Sequence, residues 1–79
     1  MRARDAYRLI VTRGGRAPAI LADPGRVDHV EVVEVASGEV VLFWDSSPQE
    51  ASALGRRLRR DIAQLDADAF MARWDTVQE

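Results

Sequence analysis

Four of the five residues from Arg56 to Arg60 are arginine, with only Leu58 between them. Guanidinium groups at that density can grip phosphates through paired, charge-assisted hydrogen bonds, which makes Arg56, Arg57, Arg59 and Arg60 candidate anion-binding residues. On a helical wheel, however, they fall opposite or beside an apolar stripe, as the solvated face of any amphipathic helix does. No aromatic residue is interleaved with them to stack on bases. The chain as a whole carries a net charge of −2, with Glu50 and Asp61 close by to moderate the cluster.

The remaining chemistry-bearing residues form weaker constellations. Arg13-Gly14-Gly15-Arg16 has the glycines of a phosphate-cradling loop but lacks its Gly-Lys-Ser/Thr ending, and no helix follows it; it reads as a hairpin turn. His29 is the single histidine. With Asp28 and Glu31 it offers nitrogen and oxygen donors, but a metal centre needs three or four convergent ligands and no further one stands out. Asp66/Asp68 and Glu31/Glu34 are paired carboxylates without the enclosed, contrasting environments that acid–base catalysis requires. Ser37, Ser46, Ser47 and Ser52 show no nucleophile-elbow context. The expectation is therefore no catalytic, metal or cofactor site. An enzyme using His29 with nearby carboxylates is the remotest reading.

The elements that hold these residues are clearer than the chemistry. Val30-Glu31-Val32-Val33-Glu34-Val35 and Val40-Val41-Leu42-Phe43-Trp44 flank Ser37-Gly38, which predicts a hairpin with Gly38 at positive φ. A two-residue loop there sets Val35 opposite Val40, Val33 opposite Leu42 and Glu31 opposite Trp44. Tyr7 to Thr12 reads as another strand. Ala17 to Ala22 reads as a short edge strand, because Pro18 lacks an N–H, and Asp23-Pro24-Gly25 as a turn. Ser47-Pro48-Gln49-Glu50 has the cap, the proline and the third-position glutamate of a helix start. Ala51, Leu54, Leu58, Ile62 and Leu65 continue it as an apolar stripe. Extended further, that helix would turn Phe70 and Trp74 away from the stripe, so a break at Asp66 and a second helix from about Ala67 to Thr76 are expected.

These elements make one α+β domain over residues 1–79, strand-rich over 6–45 and helical over 47–76. Its expected architecture is an antiparallel meander of three or four strands followed by two C-terminal helices. With 79 residues and no cysteine, the core has no disulfide staple, and small cores of this kind often gain stability by association. Apolar runs reach only five residues, at Val40 to Trp44, so no membrane span is expected. The charged start, Met1-Arg2-Ala3-Arg4-Asp5, does not resemble a secretion signal, and a cytoplasmic location is expected. An all-arginine basic set with abundant alanine fits a GC-rich bacterial genome. Residues 1–26 carry a net +4 and residues 27–50 a net −6, which suggests that basic and acidic strands neutralise each other across the sheet.

In the two-residue-loop register both faces of the hairpin are apolar. One carries Val33, Val35, Val40, Leu42 and Trp44, and the other Val30, Val32, Val41 and Phe43. A sheet covered on one side alternates apolar with polar, so the second face calls for its own cover. The principal expectation is a non-catalytic protein–protein interaction domain. It would form a homodimer or meet a dedicated protein partner through Val30, Val32, Val41 and Phe43, with Trp44, Phe70 and Trp74 contributing. The competing arrangement has Phe70, Met71 and Trp74 seal that face within one molecule. The alternative function is a small regulator binding nucleic acid or phosphate through the arginine cluster.

Overall fold

A computed structural model describes residues 1–13 and 27–76. Within them a four-residue helix, α1 (Ala3–Ala6), leads into β1 (Tyr7–Thr12). Two more strands follow, β2 (Asp28–Glu34) and β3 (Val40–Ser46), then α2 (Pro48–Gln64) and α3 (Ala67–Asp75). The strands form one antiparallel sheet in the order β1-β2-β3. The α+β class and the paired C-terminal helices thus follow the sequence expectation, whereas α1 carries no sequence signal. The Gly14-Gly15-Arg16 part of the first turn, the Ala17–Ala22 strand and the Asp23-Pro24-Gly25 turn lie outside the described residues.

The β2–β3 hairpin closes differently from the sequence expectation. Four residues, Val35 to Gly38, make the loop: Gly38 N–H donates to the Glu34 carbonyl at 2.8 Å, and Glu34 N–H to the Glu39 carbonyl at 2.8 Å. Gly38 takes φ +75°, the left-handed conformation expected of it, which a β-carbon would strain. The longer loop moves the register by one residue, so Val32 opposes Leu42, Val30 opposes Trp44 and Glu31 opposes Phe43. A bulge beyond Val32 then pairs Val33 with Val40. Because side chains alternate along a strand, a one-residue slip exchanges the faces of β2 relative to β3. Val30 and Val32 consequently share a face with Leu42 and Trp44, and Glu31 and Val33 point the other way with Phe43.

All three helices pack on the Val30/Val32/Leu42 face. Ser47 caps α2, its hydroxyl accepting from Glu50 N–H at 3.3 Å, and Pro48 occupies the first helical position. Ala51, Gly55 and Leu58 of α2 are buried against the sheet. Asp66 separates the helices as expected and stands at the N-cap of α3, although its side chain makes no capping hydrogen bond. The turn at Asp66 swings Phe70 and Trp74 inward: the Phe70 ring lies 5.3 Å from that of Tyr7, and the Trp74 ring 5.8 Å from that of Trp44, edge-on. Ala3 of α1 fills the junction, donating its N–H to the Leu65 carbonyl at 3.0 Å. The core is Val30, Val32, Leu42, Ala51, Leu58, Phe70 and Trp74 with Ala3, all but closed to water.

Candidate functional site

Helix geometry divides the arginine run into two groups. Arg57 and Arg60 face the α2–α3 seam. There Asp61, a carboxylate only 3% exposed, sits inside the apolar stripe, three residues after Leu58. It accepts the Trp74 indole N–H at 2.9 Å. Arg60 Nε lies 3.5 Å from one carboxylate oxygen and Arg73 Nε 3.7 Å from the other. The Arg57 guanidinium stands 5.3 Å from the centre of the Trp74 ring, in cation–π range. A carboxylate taken out of water costs several kcal/mol unless it is paired, so this part of the cluster maintains the fold. The sequence held a signal for it: an acid on a buried stripe demands partners, and Trp74 is the residue whose N–H must find an acceptor.

Arg56 and Arg59, three residues apart on α2, project from the opposite flank. They meet Arg13, just past the end of β1, around a pocket of about 370 Å³ that Val11, Ala51, Ser52 and Gly55 also line. Among the described residues, none of the three guanidinium groups is hydrogen-bonded or ion-paired and no carboxylate lines the pocket. The predicted four-arginine set is thus split, and Arg13 joins it from a segment the sequence assigned to a turn.

The predicted interface residues part company as well. Val30 and Val32 are 0% exposed, Phe70 0% and Trp74 2%, so these four lie in the interior of one molecule rather than on its surface. The physical reason is the register, which turned Val30 and Val32 toward the helices, together with the break at Asp66, which brought Phe70 and Trp74 over them. Trp44 is half-buried at the sheet margin, and Val41, displaced by the bulge, packs partly against the core. Phe43 is 42% exposed on the outer face, where its ring stacks on His29 at 5.6 Å. His29 Nδ1–H donates to the Asp45 carboxylate on the neighbouring strand, on that open face and not in a cleft. Among the described residues no ion pair joins Arg8 of β1 to β2 or β3. Arg8 stands opposite Val33, so the expected neutralisation across the sheet does not run through it.

The margin of the sheet offers the second feature. Beyond β3 no further strand is paired among the described residues. A groove of about 400 Å³ runs along this edge between β3 and α2, lined by Trp44, Ser46, Glu50, Ala53, Leu54 and Arg57. No helix among the described residues is long and apolar enough to cross a membrane. No group of three or more histidine, aspartate or glutamate side chains among them is placed to hold a metal. No family model, no curated protein and no solved structure matches this chain.

Proposed function

We propose that this chain is a non-catalytic interaction domain that self-associates by pairing the open edge of β3 with the same edge of a second copy. The observation that carries the reading is the edge itself. From Val40 to Trp44 it holds five apolar residues and no charge, and no strand among the described residues lies beside its outer backbone groups. Exposed edges are usually blunted by lysine, proline or a bulge. Here the bulge lies at the Val40–Val41 end and leaves Leu42–Ser46 regular.

The edge is complementary to itself. With a two-fold axis at Trp44, Leu42 of each copy meets Ser46 of the other and Phe43 meets Asp45, so no acid faces an acid. The two Trp44 side chains meet at the axis, an aromatic cross-strand pair of the kind that stabilises sheets. Trp44 and Ser46 of one copy then lie beside the groove next to α2 of the other, while Leu42 stays in its own core and pairs through its backbone. The described residues of that groove contribute one acid, Glu50, and one base, Arg57, and so present no net charge to a copy of themselves.

Light scattering behind size exclusion tests this. The parent chain should have twice its 8.8 kDa at micromolar concentration. Ala53→Arg, at an exposed helix position on the groove wall, should return it to the single-chain mass with an unchanged thermal melt. A single-chain mass for the parent, or a dimer indifferent to Ala53→Arg, would count against β3 pairing.

A further inference from the structure

We infer that Arg13, Arg56 and Arg59 form a binding site for a small organic phosphate, a phosphomonoester of low molecular mass. The site lies where α2 crosses the end of β1, on the flank away from the Trp44 groove, and does not depend on self-association. Arg56 and Arg59 share a face of α2 at a spacing of three, and Ser52 precedes Arg56 by one turn on that same face. Arg13 approaches from the strand side. Three guanidinium groups around one pocket repel one another unless an anion sits between them. Here no carboxylate of the described residues supplies it, although the chain as a whole is acidic. The contrast with Arg57 and Arg60, each occupied by an aromatic ring or a carboxylate, separates this set from an ordinary solvated helix face.

The chemical class follows from valence and space. A phosphate monoester exposes three oxygens that guanidinium forks can each address in parallel N–H···O pairs, and the Ser52 hydroxyl can donate to the same group. A pocket of about 370 Å³ falls in the range of small-molecule sites and is larger than one oxyanion fills. Val11 and Gly55 provide an apolar wall for the organic remainder. Without a β-carbon at Gly55 the wall is flat, and one built there would stand 3.7 Å from Val11 Cγ2. No aromatic side chain among the described residues lines the pocket to stack on a base, which favours a small ligand over single-stranded nucleic acid.

The test is titration of the full chain with phenyl phosphate, inorganic phosphate and a mixed-sequence oligonucleotide, read at backbone amides by two-dimensional NMR. Phenyl phosphate should shift the Ser52, Gly55 and Arg56 amides saturably and bind more tightly than inorganic phosphate. Arg56→Gln with Arg59→Gln should weaken it by roughly tenfold or more, as loss of charge-assisted hydrogen bonds implies. The melt should be unchanged, since neither side chain is paired among the described residues. Arg60→Gln should leave phenyl phosphate binding intact. The inference is overturned by absent or unsaturable shifts, by equal affinity for the two phosphates, by indifference to the double substitution, or by binding of the oligonucleotide alone.

Discussion

The two flanks of α2 carry the same residue type to opposite ends. On the flank toward α3, Arg57 and Arg60 are drawn into a closed set with Asp61, Arg73 and Trp74, in which the buried carboxylate has three donors around it. On the flank toward β1, Arg56 and Arg59 face Arg13 across an open pocket in which the described residues place no counter-charge. One run in the sequence becomes two regions in the fold, because successive helical residues are turned by about 100°. The difference teaches that the closed flank should govern stability and the open flank binding.

The largest effect should come from breaking the closed side. Trp74→Phe keeps the ring in the core but removes the donor at 2.9 Å from Asp61. Stripping a buried acceptor of its partner costs about 1–3 kcal/mol, which urea unfolding would read directly. Adding Asp61→Asn should recover part of that loss. Equal costs for the single and double variants would mean that the indole bond is not what keeps the carboxylate buried.

On the open side the same kind of measurement should show a gain. Gly55→Ala places its methyl 3.7 Å from Val11 Cγ2, an ordinary contact, and removes a glycine from mid-helix. Stability should rise by up to about 1 kcal/mol, while phenyl phosphate affinity falls as the flat wall fills. A destabilised variant would show that α2 and β1 need the glycine to approach each other.

The smallest effect sharpens the comparison through pH. Burial, with lesser contributions from Glu34 and Asp68, raises the Tyr7 phenol above its usual pKa of 10.0. The unfolded chain therefore releases this proton first. The contribution is complete below pH 10 and is lost as pH rises through the folded value. Tyr7→Phe should flatten the alkaline fall in stability and leave neutral pH nearly unchanged; an identical alkaline limb in both proteins would assign the fall to other groups.

How much of this was legible in the sequence can be judged residue by residue. Ser47 and Pro48 fixed the start of α2, and the angular mismatch of Phe70 and Trp74 with the apolar stripe fixed the break at Asp66. Gly38 is recognisable from its neighbours as the left-handed residue, but a left-handed glycine serves two-residue and four-residue loops equally. The choice between them decides which valines face the helices. That single ambiguity moved Val30 and Val32 from an expected interface into the core. Asp61 lay in plain view on the stripe, yet its burial depends on Trp74 arriving from a different helix. Arg13 meets Arg56 and Arg59 only through a crossing of α2 over β1, which no local pattern encodes.

The central claim concerns the outer edge of β3, and hydrogen–deuterium exchange as a function of protein concentration addresses it most directly. If two copies pair there, protection over Val40–Ser46 rises as the concentration passes through the dimerisation range, while the interior strand β2 keeps one rate throughout. Exchange over Val40–Ser46 that is fast and independent of concentration would contradict the pairing.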